Sequence, residues 1–134
     1  MRMSYSLTEL QLALMRVLWE RSEATVVDVQ EALEPERRLA QSTVATLLSR
    51  LEKKGLLSHR VEGRQYVYRP RVSEADVKRS MVGEFAELAD ELFQGDVAAL
   101  VSHLLTAQDV AAGDLARVKA LIEARERELS GRRS

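Results

Sequence analysis

The sequence predicts a mainly α-helical protein with one small β-hairpin, and three observations lead to this fold class. Apolar residues recur at helical spacing in six separate segments of the 134-residue chain. Residues 57–69 instead alternate between apolar and polar side chains, as strands do. Hydrophobic residues make up 46% and charged residues 31% of the chain, so it can bury a core and is not a disordered tail.

The first two predicted helices are short, amphipathic and closely linked. Thr8 to Gln11 forms a capping box ahead of the apolar stripe that predicts the first helix. Residues 22–24 then form a short break in the helical pattern. Thr25 caps the second helix and Asp28 lies in its first turn, where the helix dipole favours an acid.

The third helix and the hairpin complete a recognisable order of elements. The helix runs from about Gln41 to Lys54, and Gly55 ends it because glycine readily takes the left-handed conformation of a C-terminal cap. Two alternating segments then flank a turn at Gly63, which predicts the hairpin. Three helices followed by a hairpin within about 65 residues is the order of a winged helix-turn-helix, with the hairpin as the wing.

Three more amphipathic helices are predicted beyond residue 71. Without a sheet they cannot bury all of their apolar stripes against one small domain, and a self-complementary partner is the economical solution. We therefore expect a winged-helix DNA-binding domain over residues 1–71 and a helical dimerisation domain over residues 72–134. The residues expected in the dimer interface are Met81, Phe85, Leu88, Leu92, Val97, Leu100, Val101, Leu104 and Leu105. The alternative is that these helices extend one monomeric core.

The charge of the chain is divided unevenly, although the net charge is only −1. Residues 1–71 carry 12 basic and 9 acidic side chains, whereas residues 72–134 carry 8 basic and 12 acidic ones. Within residues 37–71 there are 9 basic and 2 acidic side chains, a balance of +7. This asymmetry indicates a basic working surface joined to an acidic remainder.

The face of the third helix opposite its leucines has the chemistry of a DNA-reading surface. Small hydroxyl side chains allow a close approach to base edges, and Arg50 can reach a guanine or a phosphate. Glu52 would repel phosphate, so we expect it to face away from the groove. Hairpin arginines supply phosphate contacts, and Arg64 at the tip can enter a minor groove. The expected DNA-binding residues are Gln41, Ser42, Thr43, Thr46, Arg50, Lys53, Lys54, Arg60 and Arg64. The alternative is an ordinary solvated face.

Little in the sequence points to catalysis, a cofactor or a metal. The absence of cysteine removes disulfide frameworks and zinc ribbons, and the two histidines, His59 and His103, are too far apart to suggest a metal site. We expect His59 to be a partly buried wing residue, and Trp19, Tyr66 and Tyr68 to pack within the protein rather than stack on bases. Phosphate-binding loops, nucleophile elbows and zinc-protease motifs are absent from the sequence, so we expect no enzyme and no cofactor.

The chain shows no targeting signal. No apolar run approaches the roughly 20 residues that a membrane-spanning helix needs. The first residues lack the apolar segment of a signal peptide. We therefore expect a soluble, cytoplasmic protein.

In these motifs the sequence resembles the penicillinase-repressor family, the BlaI/MecI/CopY group of bacterial winged-helix regulators. The resemblance runs from about Leu7 to Ile122. It is carried by Leu7–Gln11 with Val17–Trp19, by Ser42–Gly55 and by the wing residues Gly63–Tyr68. The third helix contributes the spacing T-x-x-x-L-x-x-R-L-x-x-K-G.

The resemblance implies a homodimeric repressor that binds dyad operators, typically with TACA/TGTA-like half-sites. The positions that match DNA-facing ones in the family are Ser42, Thr43, Thr46 and Arg50. Some relatives are released by proteolysis, downstream of a membrane-bound metalloprotease sensor. The matching bond here is His103–Leu104 or one near it, and those relatives carry an asparagine followed by an aromatic residue at this point. Copper-responsive relatives carry a C-terminal cysteine cluster, and this chain has no cysteine.

Two other functions compete with a dimeric DNA-binding repressor. One is a winged-helix module that binds proteins and has no DNA affinity, against which the +7 balance over residues 37–71 counts. The other is a small-molecule-responsive repressor of a different winged-helix family, which needs a cavity between the helices of the dimer.

Overall fold

The computed structural model describes residues 7–107 and 109–132, so residues 1–6, 108 and 133–134 lie outside the description. The described elements are α1 (Glu9–Arg21), β1 (Ala24–Thr25), α2 (Val26–Leu33), α3 (Gln41–Lys53), β2 (Leu57–Glu62), β3 (Gln65–Pro70), α4 (Glu74–Phe93), α5 (Val97–Ala107) and α6 (Ala112–Gly131). The predicted fold class is confirmed: the protein is mainly helical with a small antiparallel sheet.

The chain divides into two compact units, one within residues 1–86 and one within residues 87–134. Helix α4 begins in the first unit and ends in the second. The first unit therefore contains the start of α4 in addition to the three helices and the hairpin of the winged helix. The assignment of DNA binding to residues 1–71 and of dimerisation to residues 72–134 stays a prediction.

The sheet has a third strand that the sequence did not predict. Residues 22–24 were expected to form only a break, but Ala24 and Thr25 form strand β1 and pair with Tyr68 and Val67 of β3. The strand order is β1-β3-β2. Two residues are too few to show an alternating pattern, and this strand exists only because β3 lies beside it.

Both predicted caps are present at the start of α1 and α2. The Thr8 hydroxyl accepts a hydrogen bond from the Gln11 amide at 3.1 Å, and the Gln11 side chain accepts one from the Thr8 amide at 3.1 Å. Thr25 and Asp28 repeat this capping box at 3.2 and 3.0 Å. The backbone hydrogen bond from Thr25 is the main reason why the pKa of the Asp28 carboxyl lies below its usual value.

The core of the first unit joins one face from each of its helices to the inner side of the sheet. Its fully buried side chains include Leu14 and Leu18 of α1 and Leu48 and Leu51 of α3. Trp19 packs on this core as expected, and its indole N–H donates to the Val72 carbonyl at 3.0 Å. The core therefore fixes the position of α3 against the sheet.

Met81 differs from the other residues expected at the dimer interface. It is partly buried and packs against the core of the first unit, as does the fully buried Val77 one turn earlier. The apolar stripe of α4 therefore serves the chain's own core at its N-terminal end. The exposed part of the α4 stripe therefore begins after Met81.

Two glycines shape the ends of α3 and of the hairpin. Gly55 has a φ of 87°, and the amides of Gly55 and Leu56 donate to the carbonyls of Glu52 and Leu51 at 2.9 and 3.0 Å. This is the Schellman arrangement, which turns the chain from α3 into β2. Gly63, with a φ of 62°, opens the two-residue turn between β2 and β3.

Helices α5 and α6 bury none of their residues within the chain. Isolated helices of this length are marginal in water, because most helical stability in proteins comes from the packing of an apolar face. Among residues 7–107 and 109–132, no helix combines the length and the hydropathy that crossing a membrane requires.

Candidate nucleic-acid interface

The solvent side of α3 carries most of the residues predicted to contact DNA. The opposite side of the helix is anchored, because Val44, Leu48 and Leu51 have no exposed surface. The exposed predicted residues on α3 and directly after it are Gln41, Ser42, Thr43, Thr46, Arg50, Lys53 and Lys54. A rigid helix thus presents hydroxyl groups in its first turns and cations in its last ones.

Two of these exposed side chains are already oriented by hydrogen bonds within the protein. The Thr46 hydroxyl donates to the Ser42 carbonyl at 3.0 Å, which leaves its oxygen lone pairs facing outward. The Lys54 ammonium donates to the Gln11 side chain at 3.3 Å. Gln11 therefore caps α1 and also holds the C-terminal end of α3.

The N-terminus of α3 differs from those of α1 and α2. Its N-cap residue, Ala40, makes no side-chain hydrogen bond to the first turn, whereas threonines cap the other two helices. Amide groups without a side-chain cap are available to an external acceptor, and the helix dipole favours an anion there. The Gln30 side chain donates to the Leu39 carbonyl at 3.0 Å and so fixes the segment that leads into α3.

A groove of about 370 Å³ lies between α3, the start of α2 and the wing. Its floor and walls combine small or apolar side chains with polar ones. The lining residues are Thr25, Val26, Val27, Gln41, Ala45, Ser49, Arg64, Gln65, Tyr66 and Tyr68. The predicted residues Gln41 and Arg64 therefore face one channel from opposite sides.

The two predicted arginines of the wing lie in different surroundings. Arg64 is exposed at the tip of the hairpin, next to the groove. Arg60 donates two hydrogen bonds to the Glu23 carboxylate, at 2.7 and 3.0 Å, and a third to Glu62 at 3.2 Å. The hydrogen bond to Glu23 is the main cause of the raised pKa of Arg60, and the same bond lowers the pKa of Glu23.

Arg60 does not line the groove, and the register of the sheet places it on the face opposite His59 and Tyr68. His59 pairs with Tyr68, which lines the groove, and successive residues of a strand point to opposite faces. Arg60 pairs instead with Val67 on the other face. Its ion pairs tie β2 to the residue before β1, so the structure gives Arg60 a role in holding the wing together.

Three cations of this surface are free of acidic partners. Within the described parts of the chain, no carboxylate pairs with Arg50, Lys53 or Arg64. Glu52, the acid of α3, is turned toward the wing, where it contacts His59 at 2.7 Å. The expectation that Glu52 faces away from the DNA-reading side agrees with this placement.

Sequence reasoning missed Gln65 and Tyr66 as part of the site. We expected Tyr66 to pack between the wing and the body, but it is 48% exposed and lines the groove. Tyr68 does pack inward, and burial raises the pKa of its hydroxyl. The alternation of the hairpin places both tyrosines on one face, but it does not show which of them lies under α3.

A sequence profile of the penicillinase repressor family matches residues 7–124. The chain belongs to the penicillinase repressor family. The penicillinase repressor of Bacillus licheniformis is 36% identical over 70 residues, which are 52% of this chain and 55% of that protein. The methicillin resistance regulatory protein MecI of Mammaliicoccus sciuri is 20% identical over 119 residues, which are 89% of this chain and 94% of that protein.

The fold of the first unit is also that of a solved family member. The solution structure of the DNA-binding domain of the repressor BlaI matches with a TM-score of 0.50 and 34% identity, over 57% of this chain and 93% of that one. The predicted family and the predicted class, a DNA-binding transcriptional repressor, are thereby confirmed.

The residues of this chain that we expect at a dimer interface are largely exposed. Phe85, Leu88 and Leu92 of α4 are 52, 65 and 74% exposed. The further exposed or partly exposed residues, all on α5, are Val97, Leu100, Val101, Leu104 and Leu105. Within the second unit, an open apolar groove lies along α5 and is closed on one side by Ile122 of α6.

His103 and Leu104, the predicted cleavage position, lie within α5. Both are exposed, and the His103 ring packs against Phe93 with the ring centres 5.3 Å apart. Among residues 7–107 and 109–132, no three histidine, aspartate or glutamate side chains are grouped so that they could hold a metal ion.

Proposed function

We propose that the chain binds dyad-symmetric operator DNA as a homodimer and so represses transcription, with α3 in the major groove and the hairpin on the phosphate backbone. One observation carries this proposal: the exposed hydroxyl and arginine face of α3 borders a groove whose other wall is the wing. When α3 lies in the major groove of a duplex, a sugar-phosphate strand runs beside the helix. The groove of the protein between α3 and the wing can receive this strand.

The chemistry of α3 fits base reading in the major groove. Ser42 and Thr46 are small enough to let the helix approach the base edges. The Ser42 hydroxyl can pair with a donor or an acceptor, whereas Thr46, whose proton is bonded to the Ser42 carbonyl, can only accept. Arg50, one turn beyond Thr46, is long, exposed and free of an acidic partner, so it can bind a guanine through two hydrogen bonds. We propose Ser42, Thr46 and Arg50 as the specificity residues.

The surroundings of α3 fit phosphate. The first amides of α3 lack a side-chain cap, and the exposed cations Lys53 and Arg64 flank the helix and the groove. Backbone contacts of this kind supply most of the sequence-independent affinity of DNA-binding proteins. Arg60 has a different part in the proposal: it holds the wing through Glu23 and contributes its charge at longer range.

A second copy of the chain is the partner that the exposed leucines fit. Most large hydrophobic side chains that the described residues expose lie between residues 82 and 129, and α5 and α6 bury none of their own. Apolar surface of this extent marks an interaction site. Two-fold symmetric association places two reading helices on one duplex, which is what a dyad operator requires.

Proteolysis at or near His103–Leu104, triggered by a membrane-bound metalloprotease sensor, stays a prediction. The bond lies inside helix α5, so a protease needs this helix to open locally before it can bind the backbone. The lack of buried residues in α5 supports such opening in the free chain. Cutting there would separate the two DNA-binding units and release the operator. Catalysis by the chain itself has no place in the proposal.

A selection from random DNA tests the proposed function and identifies the preferred duplex in the same experiment. The full chain is incubated with a pool of random duplexes, and the bound fraction is amplified and sequenced. We expect dyad sequences whose half-sites lie about one helical turn, 10–10.5 base pairs, or a multiple of it apart. Recovery of no common sequence would favour the protein-binding winged-helix module instead.

A further inference from the structure

The C-terminal end of α3 is joined to the wing by a histidine–carboxylate contact. Nδ1 of His59, on β2, lies 2.7 Å from both carboxylate oxygens of Glu52. Both side chains are about 70% covered, since 27% of His59 and 30% of Glu52 are exposed. A carboxylate paired at this distance gives a strong, directional hydrogen bond.

The imidazole is also held by two tyrosines of the neighbouring strand. The His59 ring stacks on Tyr66 with centres 4.1 Å apart and planes only 13° from parallel. Tyr68, opposite His59 in the ladder and 3% exposed, lies 5.6 Å from it at an angle of 47°. The imidazole is thus fixed by α3 on one side and by β3 on the other.

This cluster continues along the same flank of α3 that forms the groove wall. Gln41, Ala45 and Ser49 line the groove at helical spacing, and Glu52 follows less than one turn later on that flank. Tyr66 belongs to both features, because it lines the groove and stacks on His59. The contact of Glu52 with His59 therefore joins α3 to the wing directly beside the groove.

We infer that Glu52, His59 and Tyr66 are positioning residues that hold the wing at the distance from α3 that the phosphate backbone requires. The inference rests on the proposed DNA-binding function. Contacts on a preorganised wing add to those of α3 at little further entropic cost, whereas a loosened wing must be ordered when DNA binds. Glu52 therefore strengthens DNA binding although it is an acid within a segment whose balance is +7.

The direction in which one substitution changes the Kd for DNA separates this inference from simple electrostatics. Removing a negative charge near DNA reduces repulsion and should tighten binding. Loss of the contact between Glu52 and His59 should instead weaken DNA binding. For Glu52→Met, which keeps the length of the side chain but removes the charge and both oxygens, we expect a Kd for the selected duplex about tenfold above that of the wild-type chain, the order of one hydrogen bond to a charged group. The matched control is Glu36→Met, which removes an exposed carboxylate from the segment that leads into α3 and lies outside the cluster, and for which we expect an unchanged or lower Kd.

His59→Phe provides a second variant that keeps the stack on Tyr66 and removes the nitrogen. It should weaken binding as much as Glu52→Met, and the double variant should be no weaker than either single one, because all three break the same contact. Hydrogen exchange of the free chain supplies a readout without DNA. Amides of residues 57–69 should exchange faster in both single variants, while those of α1 should not change.

Each outcome decides a different question. A wild-type chain that prefers no duplex sequence contradicts the proposed function, while the exchange experiment still tests whether Glu52 and His59 hold the wing. A selective wild-type chain whose Glu52→Met variant binds as tightly or more tightly overturns the inference, as does unchanged exchange of the wing amides.

Discussion

At the scale of residues, the exposed surface of α3 could be predicted from the sequence, but the ion pairs between distant residues could not. The apolar stripe around Leu48 fixes which side of the helix is buried, so the exposure of Thr46 and Arg50 follows from helical spacing alone. The ion pair between Arg60 and Glu23 joins residues 37 positions apart. Only the pairing of β1 with β3 brings them together, and β1 carries no sequence signal.

Arg50→Ala should remove sequence preference more than overall affinity. A bidentate contact to a guanine is worth about 1–3 kcal/mol of discrimination, so the Kd for the selected duplex should rise by roughly 5- to 150-fold. The Kd for random DNA should change much less. Fluorescence anisotropy with both duplexes measures the two values. Equal losses on both would show that Arg50 contacts only phosphate.

Arg64→Ala should weaken binding to every sequence. Arg64 lies exposed at the wing tip, where it can neutralise one phosphate. Removal of one such contact lowers the slope of log K against log salt by about one unit. Titrations at several salt concentrations measure this slope. Arg125→Ala is the control, since Arg125 lies on α6 and pairs with Glu128, and an identical change in slope for both variants would refute the assignment.

At the scale of elements, helix ends were predictable where side chains carry the signal. The capping box of α1, the Thr25 cap of α2 and the glycine that ends α3 were all predicted from residue type and spacing, whereas the second capping box, completed by Asp28, was not. The groove between α3 and the wing was not predictable. Its width depends on how closely the hairpin packs against α3, where Glu52 contacts His59 and Tyr68 is buried.

Thr25→Ala should destabilise the first unit by about 1 kcal/mol, because it removes the side-chain cap of α2. Thr25 also lines the groove and lies in β1, so stability and not DNA binding is the appropriate readout. Urea unfolding of the full chain followed by Trp19 fluorescence reports on this unit. Thr106→Ala serves as the control, since that hydroxyl bonds only within α5, and it should leave the Trp19 transition in place.

Asp28 should make part of this stability depend on pH. Its pKa is lower in the folded chain than in the unfolded one, so its contribution is complete above about pH 4 and is lost as the pH falls through the folded pKa. Asp28→Asn should therefore be less stable than the wild-type chain at pH 7, and the difference should shrink below pH 4. A difference that stays constant down to pH 2 would show that the carboxylate charge has no part in the cap.

At the scale of the whole molecule, the sequence predicted that the C-terminal helices need a partner. Their stripes repeat at helical spacing, but α5 and α6 bury no residue within the chain. What the sequence could not show is where the stripe of α4 changes its role. Met81 packs on the core of the first unit, whereas Phe85, one turn later, is 52% exposed. This change depends on tertiary packing, because the spacing is the same on both sides.

Leu104→Asp should prevent dimerisation while leaving the first unit folded. Leu104 is 44% exposed in the chain, so a carboxylate there is tolerated in the monomer and becomes costly only when a partner covers it. Sedimentation equilibrium should show a monomer for this variant and a dimer for the wild-type chain. Ala120→Asp places the same charge at an exposed position of α6 outside the leucine stripe and should remain dimeric.

The central claim is that dimerisation and operator affinity are one thermodynamic event, since linking two reading helices makes the second contact intramolecular. Its most direct test is a titration of the wild-type chain and of Leu104→Asp with the full dyad and with a single half-site. We predict that the wild-type chain binds the dyad at least roughly 100-fold more tightly than the half-site, and that Leu104→Asp binds both equally. A monomeric Leu104→Asp chain that keeps wild-type affinity for the dyad would contradict the account.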